Sequence, residues 1–523
     1  MGLVLAIVFG AANAYLGLKV GMTVSASIPA AVVSMGVLRL LFRRGSILEC
    51  NMSQTIGSAG ESVAAGAVFT LPTLFLWAAE GRCAAPDVGM ITLVSVLGGT
   101  LGVLFMVPLR RALLERGRDQ LPFPEGSACA DVLRAGERQA KGAGAVLTGF
   151  GCGAVLVPAL NAIHLSFSPA LLGVGWIVGL RAGVLMVAGS VLSHLLLVPL
   201  AAWHFGCSDE VAWSEHVKFV GVGAIATAGL LSLAKSVPTL FASLSGRTAA
   251  PAAEASSERD LPRAVVWGGL AVLMLAVWLL PQIPVGFLGA VLIVVFGFFF
   301  TWVAARTCGL IGSSNSPVSG MTIATLLFAV PVMKMLPGGE SAVFTGVMTV
   351  GAIVCLVCSI AGDTAQDLKT GLLVGASPWR QQAGEILGVV ASSLAIGGTI
   401  HLMNAAWGFG GAALPAPQAT LMKSIVECSY GGALPWSHLA LGALIPLVAF
   451  AFRLPAMAVS LGTYLPFSSM VTVFVGSLVR TFALRAAVDG REATEKTGTL
   501  LSAGVIAGEG IAGIVVALVL VLC

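Results

Sequence analysis

Apolar stretches of about 20 residues recur along almost the whole chain, and this recurrence constrains the fold more than any other feature. A stretch of that length crosses the hydrocarbon core of a bilayer as one α-helix. Hydrophobic residues make up 57% of the 523 residues and charged residues only 10%, too few to cover the surface of a soluble protein. The sequence therefore predicts an all-α polytopic membrane protein with about 14–16 transmembrane elements.

Composition and motifs exclude several functional classes. Aromatic residues are only 7% of the chain, which argues against an outer-membrane barrel with aromatic girdles. The net charge of +4 includes no basic patch for nucleic acid. A phosphate-binding G-x-x-x-x-G-K-[ST] motif is absent, so ATP-driven transport is not expected. The separated histidines and a single C-x-x-C pair have no metal-ligand spacing, and we expect neither a metal nor a cofactor.

Charged segments predict the organisation of the chain. Segment 110–142 contains seven Lys or Arg residues and is predicted to be a cytoplasmic loop. Segment 246–262 is rich in Ala, Pro, Ser and Glu, as flexible linkers are, and divides an N-terminal transmembrane half, 1–245, from a C-terminal half, 263–523. Segment 170–204 is too long for one ordinary crossing, so we expect two helices or a broken one. The loop charges also require a re-entrant or split element within 410–479.

Weak internal echoes support the two halves. The sequence "NMSQTIGSAG" at 51–60 is echoed by "DTAQDLKTGL" at 363–372, and the pair Gly60-Glu61 is echoed by Gly508-Glu509. Internal repeats with a binding site between them are typical of secondary transporters.

Carboxylates inside apolar segments are the first functional candidates, because an ionised group in hydrocarbon is costly. Glu61 and Glu509 each follow a glycine in an apolar segment, and we predict that they, with Asp363, carry a coupling proton. The Gly and Ser residues at 57–60 predict close backbone approach and an interruption of the helix. The alternative is that both glutamates only form hydrogen bonds that pack neighbouring helices.

Polar clusters at the ends of predicted spans are the second set of candidates. The span 342–361 is predicted to end before a polar run at 363–369, whose alternative interpretation is a solvated loop with helix caps. The segment 313–320 contains Pro317 and several serines, which predicts a broken helix or a short polar loop. Lys423 and Glu427 have the i, i+4 spacing of an intrahelical pair. From these segments and the echo at 51–60 we expect substrate binding or gating by Asn51, Gln54, Ser58, Ser316, Ser319, Gln366, Asp367, Lys369 and Glu427.

Several long blocks resemble the prokaryotic branch of the oligopeptide transporter (OPT) family, which is related to the yellow stripe-like metal-chelate transporters. They include "NMSQTIGSAGESVAAGAVFTLP", "LPFPEGSACADVLRAGE", "AGDTAQDLKTGLLVGASPWRQQ" and "LSAGVIAGEGIAG", in family order between residue 1 and residue 517. The resemblance implies a secondary transporter, generally proton-coupled, built by internal duplication. The Asn-Pro-Gly block of the eukaryotic peptide-transporting branch has no counterpart here.

Together these observations predict a proton-coupled symporter that carries oligopeptides or peptide-like solutes by alternating access. Its partners would be a small peptide, protons and the lipid bilayer, and its location the inner (cytoplasmic) membrane of a prokaryote; a homodimer is compatible with this prediction. A symporter of metal chelates, with a siderophore or amino-acid ligand, stays open, and a passive channel is the less favoured alternative. An enzyme is not expected, because no nucleophile–base constellation is present.

Overall fold

The computed structural model describes residues 1–42, 45–115, 121–136, 143–162, 168–244, 259–313, 316–335, 339–431, 436–487 and 490–522. Within these residues the chain forms 21 α-helices and no strand. Nine helical stretches there are long and apolar enough to cross a membrane, and five shorter apolar helices accompany them. The prediction of an all-α polytopic membrane protein is confirmed. Of the predicted linker, residues 246–258 lie outside the described part of the chain.

The helices of the first half begin at the first residues of the chain. They are α1 (Gly2–Val20), α2 (Ser27–Phe42), α3 (Ile47–Val68), α4 (Pro72–Ala79), α5 (Val88–Arg110), α6 (Pro124–Gly136), α7 (Ala143–Ala162), α8 (Pro169–Val191), α9 (Val198–Phe205), α10 (Asp209–Ala212) and α11 (Lys218–Leu244). Short π-helical segments, Arg111–Glu115, Leu192–Leu197 and Trp213–Val217, extend α5 and α8 and precede α11. The predicted cytoplasmic loop thus contains a helix of its own, α6.

The second half contains the longest helices. They are α12 (Arg263–Leu279), α13 (Gly286–Ile311), α14 (Val318–Met333), α15 (Gly339–Val374), α16 (Pro378–Trp407), α17 (Pro417–Tyr430), α18 (Trp436–Ala451), α19 (Ala456–Tyr464), α20 (Phe467–Ala486) and α21 (Arg491–Leu522). Helices of the two halves pack on one another, for example α3 on α15 and α16, and α7 on α21. The division into halves remains a prediction.

Broken helices are confirmed at several of the predicted places. The segment 170–204 forms one path from α8 to α9 that is interrupted at Gly179, where φ is 76° and ψ is 173°. This conformation costs glycine little because it lacks a Cβ. Within 410–479, α17 has 14 residues and α19 only 9, too short to cross a hydrocarbon core of about 30 Å at 1.5 Å per residue. The break predicted at 313–320 is present before residue 318, because α13 ends at Ile311 and α14 begins at Val318.

The interruption predicted at 57–60 is wrong, because α3 continues through it and ends at Val68. The close backbone approach predicted there is present. A Cβ on Gly60 would overlap the carbonyl oxygen of Ala6 on α1. The small residues of α3 therefore allow two helices to pack closely, as in other membrane proteins, and leave the helix itself intact.

The predicted helix end before residue 363 is also wrong. Helix α15 has 36 residues and includes the whole run 363–372, so these polar side chains lie inside a buried helix and not in a loop. Helices α3, α5, α13, α14 and α16 surround α15. The consequence is that the polar face of α3 meets the polar residues of α15 in the middle of the protein.

Candidate functional site

Four polar residues of α3 share one face of the helix. Asn51, Gln54, Ser58 and Glu61 follow the spacing i, i+3, i+7 and i+10, which places side chains on one side of a helix. All four are buried. Because α3 packs against α15, this face meets polar side chains of α15, and the two predicted segments at 51–60 and 363–372 come together.

Hydrogen bonds from Ser58 and Gln54 of α3 join this helix to α15. The Ser58 hydroxyl lies 2.9 Å from Asp363 Oδ1 and 2.8 Å from Asp363 Oδ2. The Gln54 amide donates to Asp367 Oδ1 over 2.6 Å, and the Asn51 amide donates to Gln54 Oε1 over 3.2 Å. These contacts satisfy part of the hydrogen-bonding capacity of two buried carboxyl groups with neutral donors.

A polar cavity of about 130 Å³, which we call the Glu61 cavity, lies next to this cluster. Glu61 and Ser62 of α3 form part of its wall. The segment between α13 and α14 contributes Ser313 and Ser316, and the first turn of α14 contributes Ser319. The end of α1, the beginning of α17 and the short helix α19 complete it. Helix ends expose backbone groups that continuous helices use internally, so a cavity at this junction can bind a polar solute.

Glu61 is fixed at the beginning of α2. Its Oε2 accepts a hydrogen bond of 2.5 Å from the backbone amide of Ala26, immediately before Ser27 begins the helix. The positive end of a helix dipole favours a carboxylate at this position. Glu61 thus combines an anchored oxygen with a place on the cavity wall.

Glu509 has a similar anchor and a different environment. Its Oε2 accepts a hydrogen bond of 2.6 Å from the backbone amide of Ala170, in the first turn of α8, and its Oε1 accepts one of 2.6 Å from Ser168. Lys19 lies 3.1 Å from the same Oε1. The echo between Gly60-Glu61 and Gly508-Glu509 therefore corresponds to a shared geometry, a carboxylate on one helix at the beginning of another. Of these two carboxylates, Glu509 has a cation within 4.0 Å and Glu61 has none among the described residues.

Two other predicted site residues, Gln366 and Lys369, lie outside the cavity wall. Gln366 donates to the carbonyl oxygen of Cys308 and accepts from the amide of Gly126, which connects α15 to α13 and α6. The Lys369 ammonium lies 5.7 Å from the ring centroid of Phe123. Gln366 and Lys369 thus join helices around the cluster.

Glu427 belongs to a separate network of charges at one end of α17. It accepts a hydrogen bond of 2.9 Å from the Trp77 indole, pairs with Arg82 and lies 3.4 Å from Lys423. Arg82 also pairs with Glu340 at the beginning of α15, over 2.6 Å. The predicted pair of Lys423 and Glu427 is present, and the network joins α17 to α15 and to the connection between α4 and α5.

The sequence interpretation missed a third buried carboxyl group beside the two aspartates. Glu385 of α16 is fully buried, and its carboxylate lies within 4.8 Å of those of Asp363 and Asp367. The sequence contains a signal for it, since Glu385 follows Gln381 by one turn in a helix that is otherwise largely apolar. Among the described residues, these three form a group with ligand atoms close enough to hold a metal ion.

Comparison with known proteins decides the family. The model of the family described as OPT oligopeptide transporter protein matches residues 1–163 and 145–520. The chain belongs to this family. It is also 33% identical to a putative oligopeptide transporter from Haemophilus influenzae, with the alignment covering 97% of this chain and 92% of that protein.

More distant similarity extends to plant proteins. Two probable metal-nicotianamine transporters from Oryza sativa subspecies japonica are 23% and 24% identical, and each alignment covers 82% of this chain. The OPT chain described here is therefore a multi-pass integral membrane transporter and not an enzyme, as the sequence predicted. Its relation to a bacterial protein agrees with the predicted location in an inner membrane.

Proposed function

We propose that this OPT-family chain is a proton-coupled symporter of oligopeptides or peptide-like solutes that works by alternating access. The observation that carries the proposal is the Glu61 cavity, where a carboxylate and several serine hydroxyls meet the ends of interrupted helices. A zwitterionic solute needs both donors and acceptors. Backbone groups at helix ends, with Glu61 and Gln418 on the wall, supply them.

The small size of the cavity supports a mechanism in which its wall moves to admit the solute. Its volume of about 130 Å³ is below the range of about 300–1,000 Å³ that is usual for sites of drug-sized ligands. A peptide therefore requires the wall to widen. The wall elements best suited to move are α17 and α19, because short helices share fewer contacts with their neighbours than the 36-residue α15 does.

Proton coupling is proposed for the carboxyl groups that line or adjoin the cavity. Glu61 lies on the wall, and Asp363 is joined to it through the hydroxyl-rich face of α3. Glu509 is less suited, because it lies outside the cavity wall and its oxygens already contact Lys19, Ser168 and the backbone amide of Ala170.

Reconstituted vesicles test the proposal. Vesicles with the purified chain and an inward proton gradient should accumulate a labelled tripeptide above its external concentration, and a protonophore should abolish the accumulation. Uptake that only equilibrates, with or without the gradient, would contradict symport. Vesicles that contain Glu492→Gln, an exposed substitution remote from the cavity, provide the matched control.

The second candidate function is symport of a metal chelate. The alignment with two probable metal-nicotianamine transporters over most of the chain favours it. Competition separates the two candidates. Uptake of a labelled iron chelate that excess unlabelled chelate blocks and excess peptide does not would favour the chelate.

A further inference from the structure

Three carboxyl groups without a cationic partner are buried behind the Glu61 cavity. We call Asp363, Asp367 and Glu385 the acidic triad. Each is at most 1% exposed, and none of them takes part in an ion pair within 4.0 Å among the described residues. Three ionised carboxylates in one sealed site would repel one another and would lack the solvation that water provides.

Only some of the carboxylate oxygens of the triad accept a hydrogen bond. Ser58 donates to Asp363, and Gln54 donates to Asp367 Oδ1. Asp367 Oδ2 and both oxygens of Glu385 receive no hydrogen bond, although they are buried. Glu385 comes from a different helix than the two aspartates, and its carboxyl group faces them within 4.8 Å. A buried acceptor facing another acceptor is stable only if a proton or another cation lies between them.

We propose that Asp367 and Glu385 share a transported proton, which makes the acidic triad the coupling site of the symporter. This inference rests on the proposed function and adds the residues that hold the ion. The proton makes an O–H···O bond from one carboxyl group to the other. That bond satisfies Asp367 Oδ2 and one oxygen of Glu385 and removes one negative charge from the site.

A chain of hydroxyl groups connects the triad to the cavity and favours a proton over a metal ion. Ser58 lies 2.8 Å from Ser27, and Ser27 lies 3.4 Å from Asp367 Oδ1. Ser58 also bonds to Asp363, and Ser62, one turn further along α3, lies on the cavity wall. Hydroxyl groups both donate and accept, so they can pass a proton along this chain.

Neighbouring charged and titratable groups set the conditions for release. The groups that interact electrostatically with the aspartates of the triad are Glu61 of α3, Glu125 and Cys129 of α6, and Cys308 of α13. On α15 itself, Lys369 follows Asp367 by two residues. Glu61 and Glu125 are acidic and interact electrostatically with Asp363. Binding of a solute ammonium group beside Glu61 would weaken this repulsion and thereby change how tightly the triad holds its proton. The geometry thus couples the cavity to the proton site.

Infrared spectroscopy of the purified chain tests the site without any solute. A protonated carboxyl group has a carbonyl stretching band that shifts in D2O, and we expect such a band in the wild type at neutral pH. Glu385→Gln should remove or shift this band. Asp367→Asn should have the same effect, and it provides the test if Glu385→Gln does not fold. Glu492→Gln, at an exposed position, should leave it unchanged. A band that neither triad substitution affects would overturn the inference.

A metal ion in the site would give a different result. If the band appears only after EDTA removes a bound ion, or if added Mn²⁺ abolishes it, the triad holds a metal and the proton assignment is wrong. Vesicle experiments then separate this inference from the proposed function. Glu385→Gln should lose gradient-driven accumulation of tripeptide and keep solute exchange at equal pH. Wild type that never accumulates tripeptide contradicts the proposed function, whereas accumulation by Glu385→Gln contradicts the triad alone.

Discussion

The backbone amide of Ala26 donates a hydrogen bond of 2.5 Å to Glu61 Oε2, and this bond holds an intramembrane carboxylate at the beginning of α2. The same arrangement recurs between Ala170 and Glu509 at the beginning of α8. Two carboxylates with similar anchors therefore differ in what surrounds the remaining oxygen. Glu61 faces a cavity, and Glu509 faces Lys19. We therefore expect Glu61 to act in coupling and Glu509 to contribute to stability.

Glu61→Gln should abolish the dependence of uptake on the proton gradient. The amide oxygen of glutamine can still accept the hydrogen bond from Ala26, so the fold is retained while the titratable group is lost. Vesicle uptake at several pH values measures the effect. Unchanged accumulation by Glu61→Gln would exclude this carboxyl group from coupling.

Lys19→Met should lower the free energy of unfolding by about 2–3 kcal/mol, because it leaves the Glu509 carboxylate without its cation. Lys19 is 23% exposed, so the loss should be smaller than the roughly 3–5 kcal/mol of a fully buried pair. Chemical unfolding in detergent measures it. The double variant Lys19→Met/Glu509→Gln should recover part of the stability, and additive losses would contradict a direct interaction.

Gly60→Ala should destabilise the protein by about 1–3 kcal/mol, because the new methyl group overlaps the Ala6 carbonyl and forces α1 away from α3. Gly398→Ala is the matched control. Gly398 lies in α16 with no other atom within 4 Å of the added carbon, so alanine should be neutral or stabilise by up to about 1 kcal/mol. Thermal unfolding of the two variants compares them, and equal melting temperatures would contradict the close approach of the two helices.

Arg82→Gln should open the cavity more often. Arg82 connects the end of α4 to Glu427 on α17 and to Glu340 on α15, and α17 forms part of the cavity wall. Removal of about 1 kcal/mol from a partly exposed network shifts an equilibrium between closed and open states about fivefold.

Maleimide labelling of Cys358, a buried residue on the cavity wall, measures this shift. Mass spectrometry of the digested protein gives the fraction of Cys358 that has reacted. Arg111→Gln, which removes a pair with Asp260 elsewhere in the protein, is the control. Labelling that rises equally in both variants, or in neither, would contradict a gating role for the Arg82 network.

Hydropathy was sufficient to predict the fold class, because every apolar stretch must satisfy its backbone hydrogen bonds within a helix. It was not sufficient to place the polar residues of α15. A run such as 363–369 has the composition of a loop, and its buried carboxyl groups accept hydrogen bonds from Gln54 and Ser58, more than 300 residues earlier. Tertiary partners of this kind cannot be identified from one sequence.

The site was predicted in part for the same reason. Asn51, Gln54, Ser58, Asp363 and Asp367 do come together. Ser27 and Glu385 were missed, because the side chains that they meet on α3 and α15 are distant in the sequence. For the glycines at 57–60 the predicted close approach is present and the predicted helix interruption is wrong, because glycine also permits close packing of two continuous helices. The position of α1 against Gly60 in the structure distinguishes an interrupted helix from two closely packed continuous helices.

Proton movement driven by solute tests the central claim most directly. Vesicles that contain a pH-sensitive dye and no initial pH gradient receive an external tripeptide, and the internal pH is recorded with valinomycin and potassium present to prevent charge build-up. The proposal predicts that the interior acidifies as the peptide enters and that Glu61→Gln and Glu385→Gln abolish the acidification. Peptide entry with no change of internal pH in the wild type would contradict proton-coupled symport.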